Sequence, residues 1–498
     1  MTEENAGPPL GSSAATWLVF IASGAVLMLE ILSLRLVAPY LGLTLETNSA
    51  VIGFALGAIA LGAWLGGRAA DKTPPQKLIG PAVLVAGVLV LFVGPAVRLT
   101  GEQVRGGNAT SVLLMAAVAI FAPAALLSAV TPMVVKLQLA TLAETGRTVG
   151  RFSGFGTLGA LVATFATGFL LVAKMSTTTI LLTLGCSLIV IGLLLTIRLR
   201  AFKGAIAGSL LIALFGVFAL ISAAPPCDVE TAYHCALVVA DPGRATGRTL
   251  KLDTLLHSYV DLADPTHLQF SYIRGVSAAV DASLPPGPLE ALHIGGGGFT
   301  YPRYLDATRS GTRSLVLEID EGVVELDRAR LGLRLGESIR VNIQDARVGL
   351  AQQPSESRDL VVGDAFGGLA VPWHLTTRET VADIRRVLRS EGIYAVNVID
   401  YPPLSFVRAE VATIADVFEH VAVIARPEVL SLREGGNLVL VGSDIPLQLN
   451  RIRGELQMQA PELGLIGEPD EVSGFAGDSK VLTDDYAPVD QLVTIPIA

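Results

Sequence analysis

Six long apolar stretches constrain this chain more than any other feature of its sequence. Each contains no charged residue, and an apolar stretch of about 18 or more residues is long enough to cross a bilayer as a helix. A further stretch at the start of the chain is similar but carries two charges. Buried helices of a soluble protein are the alternative, but so many uncharged stretches in succession favour a multi-pass membrane domain. The predicted spans, seven in all, are Trp17–Leu43, Ser49–Gly67, Leu78–Val97, Ser111–Val135, Phe152–Ala173, Met175–Ile197 and Gly204–Ala223.

The first predicted span has two unusual features. It follows a short polar tail that has no Lys or Arg and no convincing cleavage site, so we expect a retained helix and not a signal peptide. It also carries Glu30 and Arg35, and charge inside a membrane is costly. Either Arg35 extends to the membrane interface, or these charges have a role in transport or sensing. In the fourth span, Pro123 and Pro132 are expected to kink the helix or to end it early.

The charge is divided unevenly along the chain. Residues 1–225 have a net charge of +6 and no histidine, whereas residues 226–498 have a net charge of −15 and all six histidines. Charged residues make up only 16% of the whole chain, against roughly 25% in a soluble protein. These numbers exclude a soluble enzyme throughout, a disordered chain and a nucleic-acid binder with a broad basic surface. They predict a membrane domain followed by an acidic domain of soluble type.

The loop cations predict an orientation in the membrane, because cytoplasmic loops carry an excess of Lys and Arg. If the N-terminus is cytoplasmic, the inside loops carry nine cations and the outside loops carry three. With seven crossings, the C-terminal domain then lies outside the cytoplasm. The loop Gly66–Lys72 also resembles the loop between helices two and three of major-facilitator transporters, which is cytoplasmic in that family. The inside cations are Arg68, Lys72, Lys77, Lys136, Arg147, Arg151, Arg198, Arg200 and Lys203, and the outside cations are Arg98, Arg105 and Lys174.

The second half of the chain shows strand patterns and then alternating strands and helices. Short apolar and polar runs over 228–285 predict a small β unit, and from Leu289 onward strands alternate with helices. This alternation predicts an α/β domain with an open, mostly parallel sheet and a ligand crevice at the carboxyl ends of its strands. The spacing of Thr376 and Glu379 predicts a capping box that opens a helix ending near Gly392. The predicted domains are therefore 1–226, 227–285 and 286–498.

A glycine turn and three acids follow four predicted strands of this α/β domain. Residues Gly295–Gly298 follow the first strand, and a backbone without Cβ atoms can approach a nucleotide closely. Glu318 ends the next strand, 21 residues after Gly297, where a carboxylate can accept the ribose hydroxyl protons. Asp345 and Asp364 follow the next two strands, so all three acids are expected at one edge of the sheet. A structural turn is the alternative, but the acids favour a nucleoside-binding crevice.

These motifs resemble the core of spermidine synthase. The matching runs are Leu292–Gly298, Val316–Asp320, Asp345 and Val361–Asp364. The resemblance implies a class I methyltransferase-like, Rossmann-type fold and a donor such as decarboxylated S-adenosylmethionine or S-adenosylmethionine, without a metal. It also implies that Glu318 holds the ribose, that Asp345 holds the adenine amino group, and that Asp364 takes a proton from the attacking amine. With its apolar first half and the runs Asp364–Gly368 and Leu482–Val489, the whole chain is similar to membrane-fused spermidine synthase-like proteins.

Two departures from that family leave the activity open. The family has an aspartate where this chain has Gly298, and a second amine-binding acid where it has Gly367. A polyamine carries several positive charges and needs several carboxylates, so the nucleoside half of the site is better supported than the amine half. The first hypothesis is a membrane-anchored transferase acting on a small amine-type acceptor. The alternative is a transport or ligand-sensing protein whose domain binds without turnover, which an extracytoplasmic domain without access to its donor would favour.

Several other residues remain open at this stage. Residues His257, Tyr259, His267 and Tyr272 precede the glycine turn, where the family contributes acceptor-side residues, and each is either such a residue or a packing residue. His374 is either part of a crevice lid or a loop histidine. Cys227 and Cys235 form a disulfide, which suits an oxidising compartment, or stay as free thiols, and Cys186 is expected to fill apolar space. The sequence predicts no oligomeric state.

Overall fold

The computed structural model describes residues 10–42, 45–104, 109–139, 144–199, 204–222, 227–367 and 371–494. The chain forms two compact units, Met1–His234, here called the helical unit, and Cys235–Ile497, here called the α/β unit. The division falls near the predicted end of the membrane domain at residue 226. The further separation of 227–285 from 286–498 stays a prediction. Among the residues of the predictions above, Leu43, Arg105, Arg200, Lys203, Ala223 and Gly368 lie outside the described residues.

The helical unit consists of long apolar helices. Within the described residues, six of them are long and apolar enough to cross a membrane. The seventh predicted span also forms a helix, of which Ile212–Ile221 is a shorter apolar segment, so the count of seven crossings stays a prediction. The helices are α1 (Ser12–Leu41), α2 (Leu45–Lys72), α3 (Pro75–Gln103), α4 (Thr110–Gln138), α5 (Thr145–Lys174), α6 (Thr177–Arg198) and α7 (Gly204–Ser222).

Helix α4 continues through both of its prolines. A π-helical turn at Ala117–Phe121 immediately precedes Pro123, and the helix then runs on through Pro132 to Gln138. The expectation that a proline ends this helix early is therefore wrong. The π-turn lies just before Pro123, which has no N–H to donate to the regular hydrogen-bond pattern of the helix. Such a turn accommodates a missing hydrogen bond without ending the helix.

Glycines bring the helices of this unit into close pairs, one of which is α3 with α6. Helix α1 packs chiefly against α5, and α2 packs chiefly against α4. A Cβ atom on Gly66 would lie 2.6 Å from the carbonyl oxygen of Ala129, and one on Gly159 would overlap the backbone of Phe20. Only glycine permits such close contact between helix backbones. These pairs are therefore held together by backbone contact that larger residues would prevent.

Arg35 does not lie free within its helix. Its guanidinium donates to the backbone carbonyls of Thr231 and Ala232, the latter at 2.6 Å, and Nε donates to Thr177 Oγ1 at 3.3 Å. Thr231 and Ala232 follow the last apolar helix, so Arg35 reaches the end of the helices, as a long charged side chain at an interface does. Of the two readings of Arg35, the contacts favour the interfacial one.

The α/β unit begins with a small antiparallel sheet. Strand β3 pairs with β2 on one side and with β4 on the other. Helix α8 follows at Ser271–Ser283 and packs its apolar face on the main sheet, so the predicted β unit 227–285 also contains a helix. The strands are β1 (Val229–Glu230), which lies in the helical unit, β2 (Cys235–Ala240), β3 (Gly247–Leu252) and β4 (Leu255–Asp261).

The main sheet has eight strands in the order β12-β10-β11-β9-β8-β5-β6-β7. Strands β9, β8, β5, β6 and β7 lie side by side in this order and are parallel. Strand β11 runs antiparallel to both of its neighbours, β10 and β9. The expectation of an α/β domain is confirmed, and its sheet is mixed, with four parallel and three antiparallel pairs of neighbouring strands. The strands are β5 (Glu290–Ile294), β6 (Arg313–Glu318), β7 (Ile339–Ile343), β8 (Arg358–Gly363), β9 (Leu388–Asp400), β10 (His420–Ala425), β11 (Gly436–Ser443) and β12 (Gly464–Ile466).

Helices cover both faces of the main sheet, with a separate apolar core on each side. The buried strands are rich in Val, Ile and Leu, as strands covered on both faces are. The helices are α9 (Thr300–Thr308), α10 (Glu321–Arg330), α11 (Ala346–Ala351), α12 (Arg378–Val387), α13 (Ser405–Ala415), α14 (Pro427–Leu430), α15 (Leu449–Gln459), α16 (Pro469–Ala476) and α17 (Val489–Leu492).

Helix α12 differs from its prediction at both ends. Its N-cap is Thr377, whose hydroxyl accepts from the backbone N–H of Thr380, so the predicted cap at Thr376 is one residue early. The helix ends at Val387, and Gly392 lies inside β9. A glycine that follows an amphipathic pattern is typical of a helix end, but here the preceding residues pair with β8 as a strand.

The two cysteines near the start of the α/β unit are oxidised. Cys227 and Cys235 are both disulfide-bonded, and Cys186 is a free thiol within α6. Of the two alternatives for the pair, the structure has the disulfide.

Candidate nucleoside-binding site

The candidate site lies at the carboxyl edge of the main sheet. Strand β5 is paired with β6 on one side and with β8 on the other, so the chain leaves β5 at the point where the strand order reverses. In open α/β sheets, ligands bind at this point, beside the carboxyl ends of the strands. The glycine turn follows β5, Glu318 ends β6, Asp345 comes shortly after β7, and Asp364 follows β8 directly.

The glycine turn is possible only without side chains. Gly295 and Gly297 have positive φ angles of 93° and 47°, which disfavour residues with a Cβ. A Cβ on Gly295 would also overlap the carbonyl oxygen of Asp364. The N–H of Gly298 donates to Ser258 Oγ at 2.9 Å, so strand β4 covers the end of the turn. The turn is thus a narrow, backbone-lined loop between β4 and the segment after β8.

Glu318 is tied to this turn. Its Oε2 accepts from the N–H of Gly296 at 2.7 Å, its Oε1 accepts from the N–H of Asp320 at 2.9 Å, and the residue is buried. A carboxylate that accepts two N–H bonds still has lone pairs for a ligand hydroxyl. Glu318 therefore positions the glycine turn and can also accept a hydrogen bond from a bound sugar.

Asp364 is held by two neutral donors. Tyr272 donates to Oδ2 at 2.9 Å and Asn397 Nδ2 donates to Oδ1 at 2.9 Å. Although the residue keeps some solvent access, burial of its carboxyl group raises its pKa to about 6. The hydrogen bonds from Asn397 and Tyr272 act in the opposite direction and lower this pKa. Burial and the nearby Asp364 charge raise the pKa of Tyr272 well above its ordinary value, so Tyr272 keeps its proton and donates. A carboxyl with such a pKa changes protonation state near neutral pH, as a general base does.

Asp345 caps a helix and also lies close to a histidine. Its Oδ1 accepts from the N–H groups of Arg347 and Val348 and so caps α11, while Oδ2 lies 3.0 Å from His374 Nε2. Sequence analysis linked neither the cap nor His374 to this acid. An aspartate N-cap is a common helix start, and here it fixes one oxygen and leaves the other facing His374.

The run Leu482–Val489 contacts the same edge of the sheet. Asp484 accepts from Arg347 Nη1 at 2.6 Å and from Thr377 Oγ1 at 2.8 Å. Hydrogen bonding from Arg347 holds the pKa of Asp484 below its usual range. Since Arg347 follows Asp345 on α11 and Thr377 caps α12, Asp484 connects the starts of these two helices.

Sequence analysis missed two residues that shape the site. Asn397 lies buried within β9 and links Asp364 to Asn437, whose Nδ2 donates to Asn397 Oδ1 at 3.0 Å. An amide in the middle of an apolar strand was the available signal, because a buried polar group needs a partner. Ser258 had no comparable signal, since nothing in the sequence shows that β4 lies against the glycine turn. Of the four aromatic and histidine candidates, Tyr272 is the one that contacts Asp364.

Comparison with curated proteins identifies relatives of the C-terminal part. It is 27% identical over 241 residues to the polyamine aminopropyltransferase of Vibrio vulnificus, covering 45% of this chain and 76% of that protein. It is 30% identical over 178 residues to the polyamine aminopropyltransferase of Pyrobaculum calidifontis, covering 33% of this chain and 58% of that protein. No family model matches the chain. The C-terminal part thus has spermidine synthase-like homology.

Solved structures give similar neighbours. A probable spermidine synthase from Corynebacterium glutamicum is 28% identical, with a TM-score of 0.49, and the match covers 52% of this chain and 97% of that one. The human methyltransferase-like protein 13 in complex with SAH is 18% identical, with a TM-score of 0.31, and the match covers 45% of this chain and 97% of that one.

Proposed function

We propose that the α/β unit is a transferase that uses an S-adenosylmethionine-type donor and an amine acceptor, with Asp364 as its general base. The environment of Asp364 carries this proposal: a carboxyl at the strand-order reversal, held by Tyr272 and Asn397, with its pKa raised to about 6. The relatives named polyamine aminopropyltransferase support the same class of reaction.

The proposed role of Asp364 follows from the chemistry of amines. A protonated amine has no lone pair and cannot attack a carbon atom. In the proposed reaction Asp364 takes one proton from the ammonium, the nitrogen lone pair then forms a bond to the donor carbon attached to the sulfonium, and the carbon–sulfur bond electrons leave with sulfur. Glu318 and the turn Gly295–Gly297 hold the nucleoside part of the donor, and we propose that Asp345 contacts its base. Transfer of either an aminopropyl or a methyl group fits this scheme.

The acceptor end of the site differs from that expected for a diamine. A Cβ on Gly298 would lie 2.9 Å from Ser258 Cβ and 3.1 Å from Val260 Cγ2. The backbone of this chain therefore leaves little room for the aspartate that the spermidine synthase resemblance leads us to expect there. A distal ammonium of putrescine would lack that carboxylate and the one replaced by Gly367. We propose that putrescine is a poor acceptor and that the acceptor carries a single amine near Asp364.

The test is turnover by the purified full-length protein with S-adenosylmethionine or its decarboxylated form and a panel of amines. We expect Asp364→Asn to abolish turnover and to leave nucleoside binding within about twofold, because removal of a general base lowers a rate roughly a hundredfold to ten-thousandfold. Asp306→Asn, an exposed aspartate on α9, is the matched control. Equal turnover of the wild type and Asp364→Asn would refute the assignment of Asp364, and efficient spermidine formation would refute the acceptor assignment.

A ligand-sensing or transport function remains the alternative. The absent carboxylates at Gly298 and Gly367 favour it, and so does a location of the α/β unit outside the cytoplasm, without access to its donor. Nucleoside binding without turnover on any amine would support that function over a transferase. We further propose that the helical unit is a multi-pass domain of the cell membrane, with the N-terminus cytoplasmic and the α/β unit outside. The six long apolar helices and the distribution of loop cations support this arrangement.

A further inference from the structure

The helical unit contains a cavity of about 660 Å³ between two of its close helix pairs, α1 with α5 and α2 with α4. One wall is formed by α1 and α5 and includes Ser23 and Leu27, and the opposite wall is formed by α2 and α4 and includes Ala63. The cavity is large enough for a drug-sized molecule. Small residues line the cavity on both walls and leave its space unfilled. The glycine contacts hold each pair of helices together separately.

The two ends of this cavity differ. At one end lies an exposed ion pair between Lys136 and Asp71, 2.8 Å apart, at the C-terminal ends of α4 and α2. The cavity extends from there along the N-terminal half of α1, as far as Leu27. This inner end therefore lies near the middle of α1, which spans Ser12–Leu41.

Glu30 lies on α1 one turn beyond Leu27 and just past the residues that line the cavity. With 3.6 residues per turn, Glu30 is displaced by only about 20° around the helix axis from Ser23, which lines the cavity. The Glu30 carboxylate forms no hydrogen bond or ion pair with any residue that the structure describes, although the side chain is only partly exposed. A charged residue inside an apolar helix is costly unless a partner or an aqueous cavity compensates it.

We infer that this cavity binds an organic cation, a protonated amine with an apolar body, whose ammonium pairs with Glu30. The walls supply apolar contact for the body of the ligand, and the hydroxyls of Ser128, Ser153 and Thr157 can accept further N–H bonds. The inference goes beyond the proposed transferase, because it concerns the helical unit alone.

Binding to the detergent-purified full-length protein tests this inference, with phenethylamine as the probe. Phenethyl alcohol and 3-phenylpropionate are its neutral and anionic counterparts of similar size. We expect the amine to bind at least tenfold more tightly than either counterpart, and Glu30→Gln to remove that preference. Glu46→Gln, on an exposed glutamate in the first turn of α2, should leave binding unchanged.

A second variant tests the cavity independently of Glu30. Ala63 lines the cavity, whereas Ala60, one turn earlier on the same helix, is exposed and lies outside its lining. Ala63→Phe should weaken phenethylamine binding at least tenfold and Ala60→Phe should not. Equal affinity of all three probes, unchanged binding in Glu30→Gln or Ala63→Phe, or no binding of the amine would each overturn the inference. Because turnover is not the readout, failure here is distinct from failure of the transferase proposal.

Discussion

Among single residues, Asp364 shows most directly how tertiary contacts determine chemistry. Its carboxyl lies where desolvation raises the pKa, and two neutral donors, Tyr272 and Asn397, stabilise the charged form without neutralising it. No cation bonds to it among the described residues. A salt bridge to arginine would keep the carboxylate permanently charged and weaken it as a base, whereas this arrangement leaves it able to titrate near pH 6.

The proposed role of Asp364 as a general base predicts how turnover depends on pH. Because the base acts only when deprotonated, we expect the rate to fall as the pH drops below about 6. Tyr272→Phe removes a hydrogen bond that favours the charged form, so the pKa of Asp364 should rise and the acid limb of the profile should move to higher pH, by about one unit. Tyr304→Phe, whose hydroxyl contacts Ser277, is the control, and a shift of the same size there would contradict the assignment.

Glu318 allows a separate measurement of the nucleoside half of the site. We expect Glu318→Ala to weaken binding of an adenosyl nucleoside by roughly 1–3 kcal/mol, the cost of unpaired ribose hydroxyls. Isothermal titration calorimetry on the full-length protein measures this difference. Since Glu318 also accepts from Gly296, the melting temperature of the variant should be recorded alongside. Unchanged affinity would remove Glu318 from the site.

At the level of elements, strand β4 and the glycine turn act together. Ser258 bonds to the N–H of Gly298 and occupies the space beside its Cα. The proposed nucleoside crevice is therefore closed on this side by an element that lies about forty residues earlier in the chain. The same contact explains why the chain has no carboxylate at this position.

Replacement of Gly298 by aspartate tests this packing. We expect Gly298→Asp to lower the free energy of unfolding by about 1–3 kcal/mol, as overpacking does, and a second change, Ser258→Gly, to restore part of the loss. Denaturant unfolding followed by circular dichroism measures both. Gly336→Asp is a suitable control, since a Cβ there meets nothing within 4 Å. A fully stable Gly298→Asp variant with high activity on putrescine would contradict this account.

At the level of the whole molecule, two units of opposite composition follow each other in one chain. The helical unit has the cationic excess and the α/β unit has the acidic excess. Arg35 precedes this change in composition along the chain, and the disulfide-bonded Cys227 follows directly after it. A disulfide persists in an oxidising compartment, which agrees with the orientation predicted from the loop cations.

A fusion after Ala498 tests that orientation. We expect alkaline phosphatase at this position to be active, and a fluorescent protein that matures only in the cytoplasm to remain dark, because the nine-to-three division of loop cations keeps the N-terminus inside. The opposite pair of signals would overturn the orientation. An even number of crossings is the specific alternative that such a result would indicate.

The sequence alone was sufficient for properties that depend on local composition and period. The apolar stretches predicted the helices. The alternation after Leu289 predicted the α/β sheet and the edge at which its acids lie. Both predictions were possible because the periods of strands and helices are visible in consecutive residues. The predicted C-terminal end of α12 was wrong, since pairing of β9 with β8 outweighed the local signal at Gly392.

Only the tertiary structure decided what surrounds each acid. That Tyr272 and Asn397 hold Asp364, that His374 faces Asp345, and that Ser258 excludes a carboxylate at Gly298 all depend on residues brought together from distant parts of the chain. The cavity that ends one turn before Glu30 likewise exists only because α1 packs on α5 while α2 packs on α4. A pKa and a cavity depend on distances in space, which residue spacing along the chain does not specify.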